Sequence, residues 1–545
     1  MSSRFPSASL IGNEEVPGSR PLVTLNPATG QVLAQLSALD GAQARKAVDV
    51  AAQAFPAWSK TTFEVRRRFL FAWLEVLLSQ AEELAFLIAR ESGKPVSEAL
   101  LVDLFPACEH LAFLARHLTS LLRPRPTPPE QLLFAHWRAF YRFEPLGVVM
   151  IITPWNYPLG IPVIEIAQAL AGGNTVVFKP ASATALTGLR LGETLRQANL
   201  PSGVVNTVIL PGSETASLLQ DPRVAKVFFT GSVEAGKQVA QLASTRLCPV
   251  QLELGGKDAA VVAADADLEH TAHGLVWGAF QNCGQTCASI ERVYVERPLF
   301  EPLVEQVVAC TSKLKIQDPL LPDTDLGPMT TAEQRQVVVD QVNNALAQGA
   351  STLTGGKAPP GPGFYYPPTV LVNVTEDMDV MREETFGPVM PIVPVDSLEE
   401  AVARANDSRF GLTASGWTRS RRTAKYLQQA LSAGVVTINE HIASFAEPTA
   451  AWGGVRESGI GRSHGFFGLL EMVNIKYVAQ AGATGLSPWY YPYDEDKGRF
   501  LRAALPTLYA RGRVKWAALA TLLRTRTFWA RVRKGKLLGR LPRIL

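Results

Sequence analysis

Four short stretches hold residues whose types and spacing could do chemistry. The first is Gln281-Asn-Cys-Gly-Gln-Thr-Cys287. A helical pattern that Asp265 or Asp267 could cap runs to about Phe280, and Gly284 opens a loop ahead of a strand at Arg292. A cysteine on a loop between rigid elements can be an accessible nucleophile. A small inert hydrophobe is the competing reading, and Cys283 is as good a candidate as Cys287. The second is Gln251-Leu-Glu-Leu-Gly-Gly-Lys257, where Glu253 lies in a short apolar strand. Desolvation there raises a carboxyl toward the range of a general base, whereas a surface-facing glutamate does nothing. In Thr153-Pro-Trp-Asn-Tyr-Pro158 two prolines stiffen a loop after a strand and fix the Asn156 amide, a neutral donor suited to a developing oxyanion. An asparagine in a turn is equally ordinary. Last, Phe228-Phe-Thr-Gly-Ser-Val-Glu-Ala-Gly236 runs from a strand through glycines into a helix, which lets backbone N–H groups approach a phosphate. It matches neither a P-loop nor G-x-G-x-x-G, and a structural turn competes.

The elements that must position these residues read as α/β. Gly147 to Ile152, Thr175 to Lys179, Val204 to Leu210 and Ala225 to Phe229 are short apolar runs between helical patterns, as in a doubly wound parallel sheet. Similar runs at Ala259 to Val262, Arg292 to Glu296, Val389 to Val393 and Gly434 to Ile438 predict a second α/β domain. Ahead of them, Leu22 to Leu25 and Val32 to Leu36 flank the turn formers Asn26 to Gly30, a hairpin. Helical periodicity covers Ala42 to His117, with breakers at Gly93-Lys-Pro95 and Pro106, until the proline-rich Arg123 to Pro129. Ala135, Trp137, Ala139, Tyr141 and Phe143 alternate with His136, Arg138, Arg142 and Glu144, and a like ribbon spans Val473 to Tyr477. Two such ribbons serve either subunit pairing or an edge hairpin.

Composition excludes several classes. With 545 residues, 47% hydrophobic and 19% charged, the chain has material for roughly three or four domain-sized units and no sign of general disorder. Five cysteines make no disulfide framework, and no H-E-x-x-H or paired C-x-x-C suggests zinc. The first twenty residues lack the apolar segment of a secretory signal. Gly147 to Ala171 is interrupted by Pro154, Asn156, Pro158, Pro162 and Glu165, so no transmembrane segment is expected. The net charge of +4 conceals an asymmetry: residues 511–545 contain eleven Lys or Arg and no Asp or Glu, leaving −7 for the rest.

Taken together and in order, seven motifs resemble the aldehyde dehydrogenase superfamily over roughly residues 20–480. They are Pro154-Trp-Asn-Tyr-Pro158, Phe178-Lys-Pro-Ala181, Phe229-Thr-Gly-Ser232, Glu253-Leu-Gly-Gly-Lys257, Gly284-Gln-Thr-Cys287, Glu383-Glu-Thr-Phe-Gly-Pro-Val389 and Gly453-Gly-Val-Arg-Glu-Ser-Gly-Ile-Gly-Arg462. Cys287-Ala-Ser-Ile-Glu-Arg-Val-Tyr-Val295 is similar to succinate-semialdehyde-type members. The resemblance implies oxidation of an aldehyde to a carboxylic acid, with NADP or NAD as cofactor and no metal. Cys287 would be the nucleophile, Asn156 the oxyanion donor and Glu253 the base that activates water. Gly231, Ser232 and Gly236 would face the pyrophosphate, and Lys179 the adenosine ribose, with Trp155 near that groove. Glu384 would bind the nicotinamide ribose beside Phe386. Where many NAD-preferring relatives place a glutamate, this chain has Ser182, so NADP is expected to be accepted.

The implied organisation is a disordered arm over 1–20, a Rossmann-type cofactor domain over 21–129 and 146–254, and an α/β catalytic domain over 255–452. Antiparallel oligomerisation strands at 130–145 and 472–481 imply a homodimer or homotetramer, and 482–545 is a basic C-terminal extension. In that extension Val514, Ala518, Leu522, Trp529 and Val532 fall on one helical face, flanked by Lys515, Arg524, Arg526, Arg531 and Arg533. Such a helix could lie on an anionic membrane, pack on a neighbouring subunit or cover the substrate entrance. The expected location is cytoplasmic, with the membrane surface as the alternative, and no nucleic-acid motif accompanies the charge. Rival readings are a membrane-associated fatty aldehyde dehydrogenase and a catalytically inactive binding relative. Retention of Cys287, Glu253, Asn156, Lys179 and Glu384 counts against the latter.

Overall fold

The computed structural model describes residues 6–131, 134, 137–482 and 490–533. They fall into two compact units, one of residues 1–121 with 145–474 and a smaller one of residues 122–144 with 475–545.

The larger unit opens with β1 (Ser9–Ile11) and β2 (Glu14–Val16), joined through Gly12 and Asn13 at positive φ. For residues 9–16 this corrects the expectation of a disordered arm over 1–20; residues 1–5 lie outside the described residues. Leu10 and Ile11 are buried, and Leu10 pairs with Thr207, so ordering this stretch buries apolar surface and closes a sheet edge. The expected hairpin follows as β3 (Arg20–Asn26) and β4 (Gln31–Ala38), and helices fill Gly41 to Leu122.

In the smaller unit, β5 (Arg125–Pro126) pairs antiparallel with β6 (Arg138–Pro145). Residues 122–129 therefore go with the ribbon, not with a cofactor domain over 21–129, because prolines end the helix and are tolerated on an edge strand. Ala135 and His136 of the expected alternation lie outside the described residues.

The first large sheet has a parallel centre of β7 (Val148–Ile152), β8 (Thr175–Lys179), β9 (Val205–Thr207), β10 (Val224–Thr230) and β11 (Val250–Glu253). Its Val-Val-Met-Ile-Ile and Thr-Val-Val-Phe-Lys strands are buried along their whole length, as strands covered on both faces must be. The second sheet is built from β12 (Asp258–Val262), β13 (Ile290–Glu296), β14 (Ser351–Thr354), β15 (Thr369–Val372), β16 (Val389–Val395), β17 (Thr413–Trp417) and β18 (Val435–Ile438). A late pair, β19 (Gly459–Ile460) and β20 (Val473–Gln480), completes the set. The orders are β19-β11-β10-β7-β8-β9-β1-β2, β14-β15-β16-β13-β12-β17-β18, and β20-β6-β5 for the ribbon. In the first sheet the chain runs outward one way from β7 through β8 and β9, then returns to β10 and β11 on the other side. That reversal is where open α/β sheets leave a crevice at their carboxyl ends.

Between these sheets and the N-terminal helices lies one fully buried ion pair. Lys94 follows the Ala81–Ser92 helix, and a π-helical turn, Leu100–Leu104, turns Asp103 inward to meet it at 2.5 Å. Asp103 also accepts from the Leu159 and Gly160 N–H groups at 3.2 and 2.9 Å, at the start of the Gly160–Gly172 helix. Removing one partner of such a pair strands a charge in the interior. Lys94→Met is therefore expected to lower unfolding stability in urea by about 3–5 kcal/mol, and Lys94→Met with Asp103→Leu to recover part of that loss.

Candidate active site

The residues singled out in the sequence meet at the carboxyl edge of the first sheet. Asn156 follows β7, Lys179 ends β8, Gly231 follows β10 and Glu253 ends β11. Register makes this one place: β10 and β11 align Thr230 with Glu253, and the Gly231 N–H donates to the Glu253 carbonyl at 3.0 Å.

The loop after β7 is held from below and from the side. Lys94 Nζ donates to the Asn156 carbonyl at 2.9 Å and lies 4.1 Å from the Tyr157 ring centroid. The Asn156 side chain is buried, and its Nδ2 donates to the Gln285 carbonyl at 3.0 Å. Tyr157 Oη reaches Gln281 Oε1 at 2.8 Å and Thr286 Oγ1 at 2.7 Å. The cysteine loop is thus tied to the asparagine loop at several points. Asn282, Cys283 and Gly284 all have φ near the left-handed region, at 54°, 55° and 69°, a strained run held by these bonds.

Geometry separates the two cysteines. Cys283 is part of the apolar core of the second sheet, with its sulfur facing the Tyr366 carbonyl. Cys287 instead lines a cavity of about 140 Å³ with Leu101, Val102, Tyr157, Trp277, Ile442 and Phe445 among its walls. Among the described residues, none that is charged lines that cavity. Burial, and the facing carboxyls of Asp258, Glu384 and Glu253, hold the Cys287 thiol above its usual pKa, while the Ala288 N–H acts the other way.

Glu253 is buried, and Gln251 Nε2 donates to its Oε1 at 2.5 Å. Its Oε2 has no hydrogen-bond partner among the described residues. Burial first, and then the neighbouring Glu165, push its carboxyl well above the ordinary range, with Arg462 opposing. Glu253 is thus a buried carboxyl held out of water, not a solvated surface group.

The catalytic-domain side is fixed by a second buried pair that sequence reading passed over. Lys257 Nζ meets Glu291 at 2.6 Å, and Glu291 accepts the Thr385 and Phe386 N–H groups at 2.8 and 2.9 Å. This pins the Glu384-Thr-Phe386 strip. Glu384 accepts from the Gly256 N–H at 3.0 Å, and burial raises its pKa to about 8. Phe386 stands edge-to-face with Trp155, their centroids 5.4 Å apart.

The crevice residues fit a dinucleotide. A Cβ on Gly231 would lie 2.7 Å from the Phe229 ring and one on Gly236 2.4 Å from Leu254, so backbone alone is presented there. Ser232 caps the Val233–Ser244 helix, whose N-terminus points free N–H groups outward. Lys179 is buried, its Nζ donating among the described residues only to the Pro180 carbonyl at 3.3 Å, and burial lowers its pKa to about 8. Ser182 begins the short helical turn Ser182–Thr184 and is half-buried. Among the described residues no cluster of His, Cys, Asp or Glu could hold a metal ion. Lys94, Asp103, Lys257 and Glu291 are the supporting residues that sequence reading missed. The Gly93-Lys-Pro95 breaker and the lysine of Glu253-Leu-Gly-Gly-Lys257 were their only signals.

Comparison with known proteins agrees with this geometry. Residues 16–478 match the model of the aldehyde dehydrogenase family. The chain is 37% identical over 458 residues to an aldehyde dehydrogenase from Paenarthrobacter nicotinovorans, covering 84% of this chain and 99% of that one. It is 34% identical to succinate-semialdehyde dehydrogenase [NADP(+)] 1 of Mycobacterium tuberculosis, with the same coverage of 84% and 99%. The NAD+ complex of an aldehyde dehydrogenase from Bacillus cereus superposes with a TM-score of 0.84 at 33% identity, over 87% of this chain and 96% of that one. A cysteine-lined apolar cavity beside a dinucleotide crevice, with a family match along most of the chain, leads to one conclusion: this protein belongs to the aldehyde dehydrogenase family.

Proposed function

We propose that this family member oxidises uncharged, apolar-tailed aldehydes to their acids, using Cys287 as nucleophile and NADP+ or NAD+ as acceptor. The observation that carries the substrate class is the lining of the cavity at Cys287, which apart from Thr286 and the thiol itself is aliphatic and aromatic. Its volume of about 140 Å³ is close to the ~150 Å³ apolar cavity that takes benzene. An aromatic ring or a chain of similar bulk fits beside the sulfur. Leu101 and Trp277 carry the apolar lining to the exposed mouth. A second carboxylate, as in succinate semialdehyde, would be desolvated there with no cation to meet it.

The proposed chemistry follows from what each group can do. The Cys287 thiol loses its proton to solvent, and its sulfur adds to the aldehyde carbon. The new oxyanion takes the Asn156 Nδ2–H and the Cys287 N–H. When bound along the Gly231-to-Phe386 crevice, the oxidised dinucleotide supplies the acceptor for the hydride that leaves this carbon. The thioester left on Cys287 is attacked by water as Glu253 takes the water's proton, and the acid departs. Cys287→Ala is expected to cut turnover on the order of 10³-fold or more. Glu253→Gln should retain a single burst of reduced cofactor and then stall at the thioester. Only ionised Glu253 accepts a proton, so wild-type turnover should rise as pH climbs through its raised pKa. Glu253→Gln should flatten that limb. Steady-state assays should rank hexanal and benzaldehyde above succinate semialdehyde in kcat/KM; the reverse order would overturn the substrate reading.

For the cofactor, we place the 2′-substituent of the adenosine ribose between Lys179 and Ser182. A hydroxyl and a buried ammonium tolerate a phosphate there, whereas a carboxylate would repel it. Ser182→Glu is expected to raise KM for NADP+ by about tenfold or more while sparing NAD+.

We also infer a homo-oligomer. In the smaller unit β20 is an edge strand with Ile475 and Tyr477 exposed, backed by a Lys476–Glu144 pair at 2.6 Å and the Tyr141–Tyr477 ring contact. An open edge with apolar side chains calls for a partner strand. Tyr477→Asp should reduce the mass measured by light scattering in solution.

A further inference from the structure

The family match ends at residue 478, and the chain continues into a helical bundle of its own. The helices Glu495–Tyr509, Gly512–Leu522 and Arg526–Arg533 enclose a small core that includes Phe500, Ala503, Leu519, Leu522 and Phe528. This replaces the single helical face expected from sequence. A turn at 523–525 divides it, so Ala518 and Leu522 face inward while Val514 and Trp529 are exposed; Val532 lies where side chains are not described.

Two observations concern the outside of this bundle. The first is charge. Residues 497–545 contain fourteen Lys or Arg and no Asp or Glu. The two aspartates just before them are used internally, since Asp494 caps the first helix and Asp496 accepts from the Arg526 and Thr527 N–H groups at the start of the third. Among the described residues Arg502, Arg511, Arg513, Lys515, Arg524 and Arg526 form no ion pair. The second is an apolar face. Trp516, Ala520 and Leu523 are spaced i, i+4, i+7, and Trp516 and Leu523 are 55% and 40% exposed. Trp529, 48% exposed, joins this face by donating its indole N–H to the Leu523 carbonyl at 2.7 Å. Arg513 sits in the next row of the same helix surface, and Arg524 follows Leu523 in the turn that ends the helix.

We propose that this bundle is a peripheral anchor for an anionic phospholipid surface, with Trp516, Leu523 and Trp529 at headgroup level and Arg513 and Arg524 paired to phosphates. Exposed indoles, one of them with its N–H satisfied, beside unpaired arginines suit the interface between headgroups and acyl chains. A second copy of the same face would bring like charges together. Exposed Val514 and Leu505 gain from acyl chains and nothing from stacked bases, which disfavours nucleic acid.

The test uses the purified full-length protein, sedimented with phosphatidylcholine vesicles alone or containing about 30% phosphatidylglycerol, in salt of about 0.1 M. Pelleting with the anionic vesicles only, with a blue shift of tryptophan emission, is expected. Arg513→Glu with Arg524→Glu should weaken partitioning about tenfold or more, and Trp516→Ser should weaken it too, each retaining aldehyde turnover in solution. Equal pelleting on neutral vesicles, no pelleting, or variants that pellet like wild type would each overturn the proposal. So would a Trp516→Ser protein whose oligomeric mass changes without vesicles, which would make the face a subunit contact, or a single-stranded oligonucleotide that displaces the vesicles. The substrate and cofactor assays are independent of every one of these results.

Discussion

The Lys94–Asp103 pair is the constraint on which the active-site geometry rests. Both side chains are fully buried, so neither charge can be relieved by water, and every remaining hydrogen-bonding direction must be used. Lys94 spends one donor on the Asn156 carbonyl, and Asp103 spends one oxygen on the first N–H groups of the Gly160–Gly172 helix. The loop that carries Asn156 is therefore fixed at both ends by groups that cannot move without exposing a charge to an apolar interior. The Lys257–Glu291 pair does the same for Glu384 and Phe386 from the other domain. Two ion pairs thus hold the two walls of one crevice, and neither belongs to the reacting atoms.

The site between those walls is rich in carboxyls kept out of water. Glu253, Glu384 and Asp258 all have raised pKa values, with burial as the first cause in each. Packed around one thiol, they also disfavour its ionised form. In the proposed reaction, a cationic nicotinamide held beside Phe386 would oppose that local field, which would couple activation of the sulfur to filling of the crevice. The described lining of the cavity on the far side of Cys287 adds no charge, so under the proposed reading selectivity would come from shape and desolvation.

The smaller unit follows different rules. Its ribbon presents an open edge, and its helical bundle has a modest core of small and aromatic residues under a predominantly basic exterior. A bundle this small gains little from its core, which makes external partners a larger share of what keeps it ordered.

Much of the α/β architecture was legible in the residues. Runs such as Val-Val-Met-Ile-Ile at 148–152 and Ala-Ala-Val-Val at 259–262 read as buried strands and are so, and the motif order carries the family resemblance. The strand at Thr413–Trp417 was not legible, because Thr-Ala-Ser-Gly-Trp has weak strand character. It forms since Gly416 leaves room for Leu427, whose side chain would lie 2.7 Å from an added Cβ. Sequence alone fixed the types of the reactive residues. It could not choose between Cys283 and Cys287 by spacing, order the Ser9–Val16 hairpin or break the C-terminal helix at 523–525. Those outcomes were decided by tertiary structure, because each depends on which side chains arrive from distant parts of the chain. Tyr366 closes over Cys283, Thr207 pairs with Leu10, and Asp496 waits to cap the helix at Arg526.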